Sequence, residues 1–210
     1  KMSKSKKNVI DPQQIIDDFG ADTARFFMLS DSPPNRDMEW SDSGVEGSWR
    51  FLNKLWKFVN NLPSKNTEGS LPTNISAQNR ELLTFMNTTI KDVTKAIDEF
   101  HFNIAVAQIR SLFNLVSSYN IENDNDEKVV LFVTSKLLIL INPMVPHLAE
   151  ELWFTLGNKN SISNECWPKV DLDYIQRDNI KIPIQVNGKV RAIIEVPIDL
   201  DKSDIEEIAL

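Results

Sequence analysis

Apolar residues recur at three- and four-residue steps through most of the chain, and the runs open and close on local signals. Asp11-Pro12 is a helix start, a carboxylate N-cap followed by proline at the first helical position. Ile15, Ile16 and Phe19 follow before Gly20 stops it. A second short helix is predicted from Ala21 to about Leu29, ending before Pro33-Pro34. Ser43 and Glu46 have capping-box spacing, and behind them Val45, Trp49, Leu52, Trp56, Val59 and Leu62 share one helix face. Residues 63–74 read as a surface loop. Ser76 caps a long helix whose inner stripe is Leu82, Met86, Ile90, Val93, Ile97 and Phe100. The next helix carries Ala105, Ile109, Leu112 and Val116. After the polar stretch Asn120 to Asp126, another runs from Glu127 to Ile141; its end is apolar nearly all round, so it should be the most enclosed. Pro143 breaks it, and Pro146 starts a last helix through Trp153 and Leu156, closed by Gly157. Antiparallel neighbours joined by modest loops make a helical bundle.

Beyond Trp167-Pro168 the period changes to two. Ile180, Ile182, Ile184 and Val186 alternate with other residues, as do Val190, Ala192, Ile194 and Val196, and Asn187-Gly188 between them marks a hairpin. A two-residue turn would pair Val186 with Lys189 and Ile184 with Arg191, mixing apolar and basic side chains on one face. A three-residue loop, Val186 to Gly188, sets Ile184 opposite Val190 and Ile182 opposite Ala192 and is preferred. Ser203 and Glu206 cap a final helix. Two strands and one helix do not make a stable domain alone, so further strands are expected. The predicted fold is mainly α. Residues 1–42 form an opening lysine loop with junction helices, residues 43–168 the bundle, and residues 169–210 an incomplete small α+β domain. Within the last, the hairpin spans 180–196 and the helix starts at about 203.

Composition adds exclusions. With 210 residues, 41% hydrophobic and 25% charged, the chain is an ordinary globular one. The single cysteine, Cys166, cannot form an internal disulfide; beside Trp167 it is read as buried. With only His101 and His147 to join it, no metal-binding spacing arises, and His147, in the first turn of a helix, is read as structural. The lone cysteine leads to the expectation of a reducing cytoplasm; the longest apolar run, Leu137 to Ile141, is far too short to span a bilayer, and no secretory segment opens the chain. A net charge of −7 argues at first against a nucleic-acid partner. Phosphate binding depends on local clustering, however, and four of the first seven residues are lysine: Lys1, Lys4, Lys6 and Lys7. A weaker basic group is Lys181, Lys189 and Arg191. The tryptophans Trp40, Trp49, Trp56 and Trp153 are read as core or junction packing.

The opening string Lys1-Met2-Ser3-Lys4-Ser5 is followed by Asn8-Val9-Ile10-Asp11-Pro12, then Gly20-Ala21-Asp22-Thr23 and Arg25. Together these resemble the mobile ATP loop and following helices of class I aminoacyl-tRNA synthetases. The stretch from Pro33 to Gly47, with Arg50-Phe51-Leu52 and Trp56, looks like the junction of the leucyl enzymes. Lys6-Lys7-Asn8 is closer to the leucyl form than to the Leu-Gly-Asn usual in isoleucyl and valyl enzymes, and Gln185 to Arg191 resembles the bacterial leucyl form. Asn142 to Trp153 is similar to the last bundle helix of several of these synthetases. The resemblance covers essentially the whole chain and implies a C-terminal fragment of an ATP-dependent ligase, inactive alone. An isoleucyl or valyl fragment and a stand-alone tRNA-binding module are the alternatives.

That resemblance also implies roles. Amino-acid activation moves negative charge onto the departing pyrophosphate, and ammonium groups that meet those oxygens in the transition state lower the barrier. By resemblance Lys4 contacts the pyrophosphate portion and Lys1 assists, Met2 packs near the adenine, and Ser3 and Ser5 shape the loop. The implied partners are tRNA(Leu), ATP and leucine, whose pocket is not in these residues. Magnesium would accompany ATP with no ligand nameable here, and no cofactor is expected on the fragment itself. The bundle would support the tRNA body, and the intact enzyme would be monomeric. Lys189 and Arg191 are a solvated face by default and a tRNA contact by resemblance.

Overall fold

The helices start where a short polar side chain, or a proline, deals with the free amides of the first turn. A computed structural model describes residues 5, 9–63, 65, 71–175, 179–186, 189–197 and 200–209. The chain divides into two compact units, Lys1–Val170 and Asp171–Leu210. In the first, the Asp11 carboxylate accepts from the Gln13 amide at 3.0 Å to open α1 (Pro12–Phe19). Gly20, at φ 86°, joins α1 to α2 (Ala21–Asp31) through a turn that a side chain would strain. The α3 helix (Asp42–Asn60) is capped by Ser41, whose hydroxyl accepts from the Gly44 amide at 3.2 Å. The expected Ser43–Glu46 box does not form. The Ser43 hydroxyl lies 2.9 Å from that of Ser41, and Glu46 turns to Arg50 at 3.6 Å.

Ser76 caps α4 (Ala77–Asp98) as expected, and α5 (Phe102–Ser117) follows after a tight corner. The α6 helix (Asp124–Ile141) begins ahead of its apolar period, because the Asn123 side chain accepts from the amides of Asn125 and Asp126. Its acidic first turn, Asp124, Asp126 and Glu127, suits the positive end of the helix dipole. The last bundle helix is α7 (Pro146–Thr155), and Gly157, at φ 87°, follows it where a Cβ would overlap the Lys65 carbonyl oxygen.

The α4, α5 and α6 helices pack pairwise, and α3 lies against α2 and α7. Every residue from Leu137 to Ile141 is buried, as the all-round apolar end of α6 predicts. The buried side of α3 differs from expectation. Val45, Ser48, Leu52, Leu55 and Val59 face inward, while Trp49 and Trp56 are 44% and 39% exposed. The stripe is rotated toward Phe51 and Leu55, and the indoles, with one polar edge each, tolerate the rim. In α4, Leu82, Met86, Ile90 and Val93 are buried, but Phe100 is 66% exposed. The helix has ended by then. His101 donates to the Ala96 carbonyl at 2.7 Å and Phe100 to that of Ile97 at 3.0 Å, with Phe100 at φ 59° where glycine is usual. That turn sends the ring outward, edge-on to Phe102 at 5.9 Å. Cys166 is exposed and not buried; Trp167 beside it instead donates from Nε1 to the Thr94 hydroxyl at 2.8 Å.

The second unit holds β1 (Asn179–Val186), β2 (Lys189–Pro197) and α8 (Lys202–Ala209). Val186 pairs with Lys189, the register of the two-residue turn, and not the preferred three-residue loop. A register shift then skips Arg191 in the backbone pairing, so Ile184 pairs with Ala192, Ile182 with Ile194 and Ile180 with Val196. One extra residue in β2 restores the apolar-to-apolar pairing that the tight turn alone would break.

Where α4 and α6 begin and α5 ends, buried polar groups tie the three together. Asn79 donates to Asp126 Oδ1 at 2.8 Å and accepts from the Tyr119 hydroxyl at 2.6 Å. Asp126 Oδ2 accepts from the Asn123 amide group at 2.8 Å and the Glu122 backbone at 3.1 Å. Burial, then the Asp126 carboxylate, push the Tyr119 phenol above its ordinary range. A raised pKa in the folded state stabilises below the unfolded value and loses that contribution as pH climbs through the folded one. Asp126→Ala should lower unfolding free energy by about 2–3 kcal/mol, since several donors lose their acceptor. Tyr119→Phe should cost about 1 kcal/mol and flatten the stability profile above pH ~10. Urea unfolding at neutral and alkaline pH measures both.

Candidate functional site

The two strings that carry the synthetase resemblance, Gly20 to Arg25 and Asn142 to Trp153, meet in space. The α2 helix is short, yet its inner face is fully used. Phe26 stacks on Phe51 of α3 at 5.2 Å, with ring planes 6° apart. The Arg110 guanidinium of α5 lies 5.1 Å from the Phe26 ring centre and 4.8 Å from that of Phe51. Phe27 meets Trp40 edge-on at 5.3 Å and lies where a Cβ on Gly44 would approach it to 2.6 Å. Burial among these rings pulls the Arg110 guanidinium below its ordinary range.

Just ahead of this aromatic pair in the chain, α2 presents two opposite charges, Asp22 and Arg25, to the corner between α6 and α7. Pro143 ends α6, leaving carbonyls without intrahelical donors, and no basic residue occupies that helix's last turn. Arg25 serves the turn just beyond it, donating from Nη2 to the Pro143 carbonyl at 2.9 Å and from Nε to that of Met144 at 3.2 Å. The N-terminus of α7 has the mirror-image need: Val145 gives it no side-chain cap, and its first turn has no acidic residue. Asp22 supplies one from another helix. Its Oδ2 accepts from the Leu148 amide at 2.7 Å, and its Oδ1 lies 2.9 Å from His147 Nδ1. A carboxylate only accepts, so that ring nitrogen carries the proton. The Asp22 side chain is 11% exposed and that of His147 79%, so the contact closes over the carboxylate from outside. The cation sits at a helix C-terminus and the anion at an N-terminus, the favourable sense for both dipoles.

The sequence-predicted site residues fare differently. Lys1, Met2, Ser3 and Lys4 lie outside the described residues, and Ser5 is exposed. The Lys189 backbone pairs with Val186, its side chain is outside the description, and Arg191 is exposed at the register shift. Asp22 and Arg25 enter the sequence reading only as parts of a motif, whereas His147, read as structural in the first turn of a helix, lies in that turn against Asp22. The sequence shows an Asp–Arg pair at i, i+3 and, far along the chain, a Pro146 helix start without a side-chain cap, but nothing in it joins the two. Among the described residues no group of three or more His, Cys, Asp or Glu is placed to hold a metal ion. No described helix is long and apolar enough to cross a membrane.

Asp22→Ala should destabilise the chain by about 2 kcal/mol, and Asp22→Asn by less, because an amide oxygen still accepts from Leu148. Arg25→Ala should cost about 1 kcal/mol. The double alanine variant should depart from the sum, since both side chains hold one corner. Urea unfolding of the four variants reads all of this.

Profile comparison matches residues 79–207 to the anticodon-binding domain of tRNA ligase and residues 1–41 to class I tRNA synthetases (I, L, M and V). A leucine–tRNA ligase of Paramagnetospirillum magneticum is 41% identical over 210 residues, covering 100% of this chain and 24% of that protein. One of Desulfotalea psychrophila is 42% identical over 214 residues, covering 100% and 26%. The chain thus spans about a quarter of the length of these relatives. The fold also matches a crystal structure of the Agrobacterium radiobacter agnB2 LeuRS–tRNA–LeuAMS ternary complex, with a TM-score of 0.85 and 30% identity over 100% of this chain and 27% of that one. By its motifs, its fold and its relatives the chain belongs to the class I tRNA ligases with an anticodon-binding domain, and leucine–tRNA ligases resemble it from end to end.

Proposed function

We propose that this chain serves, within a longer polypeptide, the ATP-dependent ligation of leucine to tRNA(Leu). In the first step a leucine carboxylate oxygen bonds to the α-phosphorus of ATP, the bond to the β-phosphate oxygen breaks, and pyrophosphate leaves with the electron pair. Lys4, assisted by Lys1, neutralises the charge gathering on that pyrophosphate, a contact that strengthens as the bond breaks. Met2 packs near the adenine, and Ser3 and Ser5 shape the loop. Magnesium travels with ATP as part of the substrate. In the second step a terminal ribose hydroxyl of the tRNA attacks the leucyl carbonyl, an ester forms and AMP departs. The bundle supports the tRNA body, and Lys189 and Arg191 add phosphate contacts. The enzyme works in the cytoplasm as a monomer.

The observation that carries this reading is continuity. The lysine string leads directly into α1 and α2, and α2 is anchored by Asp22 and Arg25 on a bundle of the anticodon-binding family. The relatives' names point to leucine in particular. The test is ATP–pyrophosphate exchange by the complete enzyme, offered leucine, isoleucine, valine and methionine separately. Exchange is expected with leucine alone and should fall at least about 100-fold in Lys4→Ala, the scale of losing a transition-state charge contact. Exchange with another amino acid would overturn the leucyl assignment, and none with any would leave a tRNA-binding module.

A further inference from the structure

No α1 side chain is buried, although α1 is the first helix after the lysine loop. Its one ring contact sets Phe19 edge-on to Trp49 at 6.5 Å, and Trp49 is itself 44% exposed. At its far end it meets α2 through Gly20, the residue least able to hold a direction by itself. The Thr23 hydroxyl of α2 donates to the Phe19 carbonyl at 2.7 Å, so α1 takes its placement from α2, with Trp49 of α3 beside it. Three features place α2: the Phe26 and Phe27 rings, the Arg25 fork on Pro143 and Met144, and the Asp22 carboxylate on His147 and Leu148. Ring packing limits how close α2 comes to α3 and α5, but it is tolerant of sliding and rotation. The charged contacts are not, because each accepts or donates along fixed directions at the termini of two different helices.

We infer that Asp22 and Arg25 are positioning residues for the ATP step: they lock the rotation of α2 to the bundle and thereby aim the lysine loop. The inference rests on the proposed ligase reading and adds to it a second requirement, that the bundle is the reference frame for the loop. The lysines act on a charge that exists fully only in the transition state, and a displacement of about 1 Å far from the chemistry can cost about 100-fold in rate. A loosened clamp should thus lower the turnover of exchange and leave the affinity for leucine, bound elsewhere, unchanged.

The experiment compares the complete enzyme with its Asp22→Ala, Asp22→Asn and Asp126→Ala variants in leucine-dependent ATP–pyrophosphate exchange, at a temperature where all are folded by circular dichroism. Asp126 is also a buried carboxylate, at the end of the bundle where α4 and α6 begin, so it controls for lost stability alone. Asp22→Ala is expected to reduce kcat about tenfold with leucine KM unchanged. Asp22→Asn should recover most of that, and Asp126→Ala should stay within about twofold of the parent. Equal losses in the two alanine variants, or an unchanged kcat in Asp22→Ala, would overturn the positioning role while leaving the ligase reading intact. A parent without leucine-dependent exchange would overturn both.

Discussion

The fold depends on how the break between α6 and α7 is satisfied. Pro143 and Pro146 force the chain to turn there, and Met144 and Val145 between them are buried. A buried turn leaves free carbonyls on one side and free amides on the other, and each unmet group is costly away from water. Local backbone bonds to the Ile141 and Val145 carbonyls meet some of these groups, and one short helix more than a hundred positions earlier meets others, by Arg25 on the Pro143 and Met144 carbonyls and Asp22 on the Leu148 amide. The same contacts that complete the bundle corner therefore fix α2, the second helix of the chain.

Around that corner the remaining parts have simple tasks. The α6 helix is the buried axis, with its acidic first turn held by Asn123 and its last turn wholly apolar. The polar group of Asn79, Tyr119 and Asp126 closes the end where α4 and α6 begin, and its hydrogen bonds are directional where the apolar core is not. Phe26, Phe51 and Phe113 link α2, α3 and α5 through stacked and edge-on contacts. Together these make a scaffold on which α2 has one orientation, and α1, lacking a buried residue of its own, inherits it.

Local chemistry was the legible part of the sequence. Caps and breakers act within a few residues, so Asp11, Gly20, Ser76, Pro146 and Gly157 each mark an element end that the structure has. Errors arise where a distant partner decides. On α3 two apolar stripes overlap, one through Trp49 and Trp56 and one through Leu55, and the packing of α2 and α7 selects the second. Phe100 continues the period of α4 on paper, yet the helix has already closed. In the hairpin, turn length and side-chain parity conflict, and a register shift at Arg191 reconciles them, an outcome no period count supplies. Asp22 and Arg25 were visible as part of a family string, but their role is a contact across 126 and 118 positions, which spacing alone cannot express.

The central claim, that Asp22 caps α7 from another helix and so ties α2 to the bundle, is most directly tested by amide hydrogen exchange at Leu148. In the parent chain this amide should be strongly protected although it lies in the first turn of its helix. In Asp22→Ala its protection should drop by roughly 100-fold, the loss expected for one charge-assisted bond, with the α4 and α6 core amides unchanged. Equal protection of Leu148 in both proteins would contradict the clamp.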